Sequence, residues 1–549
     1  MLRTGLIASI PELLARHAGA RGAKLAYQDA NGQVTYAALA QRTANLAGHL
    51  ADLGLQPGQS VAMLLPNSVA WIECCLAINR AGATSVPIAY ESTEPEIAYR
   101  LADADCRMII ATAEKAALVD QLLAGAPNLT TVMLADSGVP GAGAPRLADL
   151  LSTAPKSAPR DSRDIDGAAF IVYTSGTTGR PKGVLLSVRG MLWVAAACWA
   201  PICGLSDRDH VLSPLPLFHS YALNLSVLSI LATGASEFIM ERFSTAEALA
   251  LLRSGRFTMM PGVPTMFHYL LQRAKEEQRE EQAAPAPRRG FMFGGRKPEP
   301  VIGLAGVRMC VSAGAIMPAT LNREFEAHFG VPLLDGYGIT ETSTMVTMNW
   351  PPIDSGGDHP DGRILGSCGL PLPGLAVRIV EPSTGADAAF GAEGELIVRG
   401  PNVMLGYHDK PVETAAALRD GWYRTGDLAR SDANGFLTIT GRLKELIIRG
   451  GQNIAPAEIE EAVNTFPPVL DCAVVGVPHA ELGEVAVLCV VPRPAASLDP
   501  QALLAHCRQQ LSAYKVPHAV HVVSEIPRTG SGKIIRYKLR EGLIGKAAG

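Results

Sequence analysis

Residues 173–183 read YTSGTTGRPKG and stand between one apolar run, Ala168 to Tyr173, and a second, Val184 to Leu186. Small residues in succession let several backbone N–H groups turn inward around one anion, and glycines tolerate the positive φ such a turn needs. Thr174, Ser175, Thr177 and Thr178 add hydroxyl donors around Gly176, and Arg180 and Lys182 add positive charge. The stretch has the composition of a phosphate loop following a strand. It is not a GxxxxGK[ST] loop, because that order of residues does not occur in it. Taken alone it reads equally well as a connecting loop with no ligand, so the rest of the chain has to supply partners.

The preceding segments alternate between strand and helix patterns. Thr35 to Gly58 places Leu39, Leu46, Ala47, Leu50 and Leu53 on one helical stripe that Gly54 and Pro57 end. Val61 to Leu65 reads as a buried strand, Ser68 to Arg80 as a helix and Thr84 to Ile88 as a strand, and the rhythm recurs at Met108 to Ala111, Thr131 to Leu134 and Ala168 to Tyr173. Such βαβ alternation implies right-handed crossovers and mostly parallel sheets, with ligands beyond the carboxyl ends of the strands. The expected fold class is α/β, a large N-terminal region of layered, mostly parallel sheets with a small, mobile C-terminal α/β domain.

The chain has 549 residues, 48% hydrophobic and 18% charged, with a net charge of −4. That balance, without a long basic block, argues against a nucleic-acid partner. Ten cysteines without a CxxC pair read as reduced, mostly buried thiols of a cytoplasmic protein. The N-terminal stretch is broken by Pro11, Glu12 and Arg16 and does not read as a signal peptide. The most apolar segment, Ala222 to Met240, carries Asn224, Gly234 and Glu237 and reads as a buried core helix rather than a membrane span. Lys275 to Pro300 shifts from charge to Pro, Gly and Arg, the pattern of a helix end followed by an exposed, mobile insertion.

Further motifs follow the phosphate loop. Pro214 to Asn224 reads PLPLFHSYALN, and no acidic residue occurs between Pro214 and Ser236. In Asp335 to Ser343, DGYGITETS, Tyr337 offers a flat face for a purine, Thr340 a hydroxyl for an α-phosphate and Glu341 a hard carboxylate for Mg²⁺. In YRTGDL, residues 423–428, Asp427 can accept two hydrogen bonds from a vicinal diol, and Arg442 in GFLTITGRLKELII is a further ribose or phosphate contact. GGQNI at 450–454 and PRTGSGKIIR around Lys533 close the series.

In order and spacing these motifs resemble the AMP-forming adenylating enzymes, the family of acyl-CoA synthetases, 4-coumarate ligases, luciferases and peptide-synthetase adenylation domains. The resemblance implies ATP, Mg²⁺ and coenzyme A as cofactors and a carboxylic acid as substrate. It implies catalytic roles for Lys533, Glu341, Thr340 and His219, the last at the carboxylate end of the acid pocket, and Glu341 as the metal ligand. Thr174, Ser175, Gly176, Thr177, Thr178, Lys182, Gly314, Ala315, Asp335, Gly336, Tyr337, Asp427, Arg442, Gly450 and Gly451 would form the cofactor-binding set. Residues 1–442 would be the large domain and 443–549 the small one, with a hinge near Lys444.

The expected reaction is acid plus ATP to acyl-AMP, then transfer to coenzyme A. Relatives that activate amino acids place an Asp near the Phe218–His219 pair, so its absence disfavours an amino acid. Phe218 to Ser226, Met260 to Phe267 and Thr340 to Met348 are apolar, Met-rich and without Lys or Arg, which favours a medium- or long-chain fatty acid, with an aryl or cinnamic acid as the alternative. Transfer to a carrier protein and a catalytically dead acyl-nucleotide sensor are the other readings. The context of Lys533 also resembles segments modified by protein lysine acetyltransferases, and a homodimer stays open.

Overall fold

The computed structural model describes residues 2–125, 129, 131–134, 145–174, 181–283, 303–351, 362–449, 452–479, 481–494, 496–528 and 534–547. Most of the expected elements form where their local signals lie. Thr35 caps a helix over Tyr36–Asp52 by accepting from the Ala38 amide, and Ser68 caps Val69–Arg80 through the Trp71 amide. A capping box of Ser9 and Glu12 starts Ile10–Arg21, and one of Thr93 and Glu96 starts Glu94–Asp103.

Two large sheets carry the N-terminal region. The first has nine strands, with Leu333–Tyr337, Met309–Ser312, Met259–Gly262, His210–Ser213, Ser236–Ile239 and Leu25–Gln28 consecutive and parallel at its centre. The second has seven, with Ala168–Thr174, Thr84–Pro87, Ser60–Leu64, Cys106–Ala111 and Thr131–Leu134 parallel. Helices fill the space between them, and one apolar core joins Val61, Met63 and Phe170 of one sheet to Tyr27, Val211 and Val311 of the other. A five-stranded sheet that includes Trp422–Ser431 and Leu437–Arg442 follows. A smaller C-terminal α/β domain has its own five-stranded sheet and its own cores around Ile459, Val474 and Leu488 and around Val475 and Val487. All ten cysteines are buried and free, as their spacing implies. Among the described residues no helix is long and apolar enough to cross a membrane.

One expectation needs correction. The segment from Ala222 to Met240 is not one helix: it runs helical from Ser220 to Thr233, with a π-helical stretch at Leu223–Ser229, and then becomes the strand Ser236–Ile239. Gly234, at φ +74°, makes the break, because that left-handed conformation ends a helix at little cost only without a side chain. The phosphate loop follows a strand, as expected: Ala168–Thr174 precedes it and Lys182–Ser187 follows it, and the two strands pair antiparallel with Thr174 opposite Lys182. Of the 275–300 segment, the helix Pro264–Ala283 bears out the helix end, and the remainder lies outside the described residues.

That strand after Gly234 buries a carboxyl. Glu237 is fully buried with neither oxygen hydrogen-bonded among the described residues, and burial pushes its pKa up to about 8. A raised carboxyl pKa means the native state holds a proton the unfolded chain gives up, so stability falls as pH rises from about 4.5 to about 8. The cost at the upper end is on the order of 4 kcal/mol. Glu237→Gln removes the titration, and its melting temperature is expected to exceed that of the unaltered protein by several degrees more at pH 8 than at pH 5. An equal difference at both pH values would contradict the buried neutral carboxyl.

Candidate nucleotide and acid site

The phosphate hairpin is braced from below. Tyr173, at the end of its first strand, donates its hydroxyl to Asp103 Oδ2 at 2.8 Å, and Lys410 Nζ donates to Asp103 Oδ1 at 2.9 Å. Tyr99, one turn before Asp103, donates to the Pro181 carbonyl at 2.8 Å, where the second strand begins. Burial, and then Asp103 itself, push the Tyr173 phenol well above its ordinary pKa, so it stays a donor. Asp103 and Tyr99 thus tie helix 94–103 to both ends of the loop. Asp103→Ala should leave the Tyr173 and Lys410 donors without their acceptor and loosen the loop, raising KM for ATP about tenfold with a smaller change in kcat. A rise in KM for the acid instead would place Asp103 elsewhere in function.

Lys182 leads from the hairpin to the DGYGITETS segment. Its Nζ lies 4.8 Å from the centroid of the Tyr407 ring, and the Tyr407 hydroxyl donates to Glu341 Oε1 at 3.1 Å. Burial raises the Glu341 pKa, which marks a carboxylate short of compensating charge. The turn that presents it is strained: Ser343 and Thr344 follow at φ +50° and +99°, and for a β-branched residue such a value is an outlier. Gly338 permits the close approach, because a Cβ there would lie 1.4 Å from the Thr344 carbonyl oxygen. Asn402 holds the turn from outside, donating to the carbonyls of Thr342 and Met345 at 2.9 and 2.7 Å.

Asp427 is buried and pairs in register with Arg442 on the neighbouring strand. Arg442 Nε meets Asp427 Oδ1 at 2.7 Å, and the Tyr337 hydroxyl donates to Asp427 Oδ2 at 2.5 Å. Asp335, two residues before Tyr337 in the middle of the same strand, is buried with Oδ1 lacking a partner among the described residues, and burial drives its pKa well up. Lys444, two residues past Arg442, has its pKa lowered by burial and by the charge of Lys182, which places the segment after Arg442 near the foot of the hairpin.

A small apolar cavity, with about 10 Å³ of free space, lies among Leu215, Pro216, His219, Tyr221, Ala222, Val263, Met266 and Gly314. His219 caps the helix at its mouth, with Nδ1 accepting from the Tyr221 amide at 3.2 Å. The next residue, Ser220, shares a hydrogen bond of 3.1 Å with Thr340, joining pocket and DGYGITETS segment. Tyr221 closes one side, its ring stacked 5.9 Å from that of Trp199 and its hydroxyl on the Val311 carbonyl at 3.2 Å. Ala315 follows Gly314 at the rim.

The structure therefore connects Lys182 to Glu341, Tyr337 to Asp427 and Arg442, and Thr340 to the helix that starts at His219; Thr174, Gly336 and Ala315 sit beside these groups in the chain. Ser175, Gly176, Thr177, Thr178, Gly450, Gly451 and Lys533 lie outside the described residues. The sequence reading missed Asp103, Tyr99, Tyr407 and Asn402. Asn402 and Tyr407 lie in GELIVRGPNVMLGY, residues 394–407, just ahead of YRTGDL; Asp103 is 307 residues from Lys410 and carries no local signal.

One carboxylate, with no cluster of three or more His, Cys, Asp or Glu among the described residues, fits Mg²⁺ held by Glu341 and substrate phosphates, and not a caged transition metal. A layered α/β region with a small second domain, a polar hairpin, a diol-sized carboxylate and an apolar pocket define the class of nucleotide-dependent acid-activating enzymes. Residues 14–408 match the AMP-binding enzyme family and residues 458–533 the AMP-binding enzyme C-terminal domain. The chain belongs to this family and is an enzyme of the AMP-binding type.

It is 34% identical over 507 residues to a feruloyl-CoA synthase of Amycolatopsis sp, covering 92% of this chain and 93% of that one. It is 36% identical over 516 residues to the sulfoacetate–CoA ligase of Cupriavidus necator, covering 93% of each chain. It is 33% identical over 533 residues to the indoleacetate–CoA ligase of Aromatoleum aromaticum, covering 97% of this chain and 98% of that one. The ATP-bound structure of MatB from Rhodopseudomonas palustris superposes with a TM-score of 0.83 at 31% identity, covering 97% of this chain and 98% of MatB.

Proposed function

We propose that the chain is an acid–thiol ligase that joins an aryl carboxylic acid to coenzyme A through an acyl-adenylate. The observation that carries the choice of acid is the pocket: it is compact, without Lys or Arg in its lining, and shut on one side by the Tyr221–Trp199 stack. Apolar walls beside a stacked aromatic pair suit a flat ring once the cavity opens around it, whereas a long alkyl tail would have to displace the stack. The feruloyl and indoleacetate ligases among the relatives support the aryl acid over the fatty acid that the Met-rich segments favour. A sulfoacetate-like substrate would bring a distal anion to a lining that offers no cation.

A carboxylate carries an oxide leaving group and must be coupled to AMP before a thiol can displace it. In this reading the hairpin donors and Lys182 hold the phosphates, Asp427 with Arg442 holds the ribose, and Tyr337 faces the adenine. Tyr407 fixes the Glu341 carboxylate for Mg²⁺, which when bound would draw charge from the phosphate oxygens. His219 and Thr340 stand at the carboxylate end of the pocket. Lys533 would stabilise charge developing on the α-phosphate, and acetylation would remove that charge. Residues 1–442 and 443–549 would move about Lys444. AMP release measured across a panel of aryl and alkyl acids with ATP and coenzyme A tests the choice. At least about a tenfold higher kcat/KM for the best aryl acid than for octanoate or palmitate is expected, and the reverse order would overturn it.

A further inference from the structure

The helix that lines the pocket continues inward past a polar group that nothing in the adenylation chemistry uses. Ala222 lines the pocket and Ser226 lies one turn deeper on the same helix. The Ser226 hydroxyl meets that of Ser213 at 3.0 Å, and Ser213 ends the strand that runs on to Leu215 of the pocket wall. Glu237 reaches the same place from the adjacent strand: it pairs in register with Val211, so its side chain leaves the sheet on the face shared by Val211 and Ser213. Ser226 is close enough to oppose the rise in its pKa, yet neither carboxyl oxygen completes a hydrogen bond among the described residues. Tyr27 and Tyr36 stand nearby, but their hydroxyls are spent on the carbonyls of Val227 and of Ile230 and Ala235.

A fully buried carboxyl with two idle oxygens costs stability, and proteins keep such groups where a ligand completes them. The direction fits. Tyr221 reaches the strand Met309–Ser312 through the Val311 carbonyl, whereas Ser226, one turn on from the pocket residue Ala222, reaches Ser213, whose strand lies beside Ser236–Ile239. From His219 to Ser226 the helix would advance about 10 Å at the α-helical rise of about 1.5 Å per residue, and somewhat less with its last four residues π-helical. That is the length scale of an arylpropenoate or an arylacetate with a fused ring, set with its carboxylate at His219.

We infer that Glu237, with Ser226 and Ser213, forms the specificity floor of the acid pocket and recognises a hydroxyl or N–H group at the end of the aryl acid opposite its carboxylate. A neutral carboxyl can donate one hydrogen bond and accept others, so it suits a phenol, which needs both, or an indole N–H. A substrate lacking that group would leave the floor unpaired, which sites of this kind reject strongly. The inference rests on the aryl reading above.

The test compares kcat/KM for 4-hydroxycinnamate with cinnamate, and for indoleacetate with 1-naphthylacetate, in the full-length enzyme. The unaltered protein should prefer the hydroxylated or N–H acid at least about tenfold. Glu237→Leu should reduce that preference below about twofold while leaving or raising kcat/KM for cinnamate; Glu237→Gln, which donates and accepts, should retain most of it. Should Glu237→Leu not fold, the Ser213→Ala, Ser226→Ala double variant carries the same expectation. A preference absent from the unaltered protein, or unchanged in the folded variants, overturns the floor while leaving the aryl reading intact. Turnover of alkyl acids with none of the four aryl acids would overturn both.

Discussion

Glu341→Gln is expected to lower acyl-adenylate formation by about two to four orders of magnitude while the protein stays folded. The fold should tolerate the change because the side chain keeps its shape and its amide oxygen can still accept from Tyr407, whose hydroxyl lies 3.1 Å from Glu341 Oε1. What is lost is the negative charge. The carboxylate is half-buried with its pKa raised, so few nearby groups compensate it, and a divalent cation arriving with the nucleotide would meet its charge only weakly screened. The loss should appear in pyrophosphate release, be deepest at low Mg²⁺ and be partly recovered at high Mg²⁺. Activity equal to that of the unaltered protein at limiting Mg²⁺ would remove Glu341 from the metal role.

The second large effect separates the two half-reactions. In the family resemblance the Lys533 segment serves adenylation and the Gly450–Gly451 loop lines the route of the thiol, and both belong to one small domain. They cannot face one site together, so the domain would turn about Lys444 between steps. Lys533→Ala should lose adenylation by at least about a hundredfold yet convert supplied acyl-adenylate with coenzyme A. Lys444→Pro fixes φ near −65° and restricts Leu443, so it should make acyl-adenylate and fail at the thioester. Both variants losing both half-reactions equally, with melting unchanged, would refute the division of labour.

Much of this was legible in the chain because its signals are local. Caps at Thr35 and Ser68 mark helix starts, and the phosphate loop is framed by apolar runs that become paired strands. Tyr337, Asp427 and Arg442 sit in motifs whose order is readable, although their mutual contact is not. Other features depend on tertiary proximity. Tyr407 reaches Glu341 across 66 residues and Lys410 reaches Asp103 across 307, separations at which no periodicity survives. The apolar stretch 222–240 hid a turn because a buried helix and a buried strand have the same composition, and one glycine decides between them. The absence of acid between Pro214 and Ser236 was a sound observation with an unlucky edge. Glu237 is the next residue, and the reversal at Gly234 carries it back against Ser226.

Arg442 closes the last strand of the nucleotide side, held to Asp427 at 2.7 Å, and Lys444 comes two residues later. A pivot at Lys444 would therefore be bolted to the ribose end of the site. Whichever way the small domain turns, the Arg442–Asp427–Tyr337 chain stays on the stationary side, so the AMP moiety would keep its grip through both steps. The reactive mixed anhydride need never leave the protein between its formation and its consumption, and water would have to compete with the thiol inside the pocket rather than in bulk.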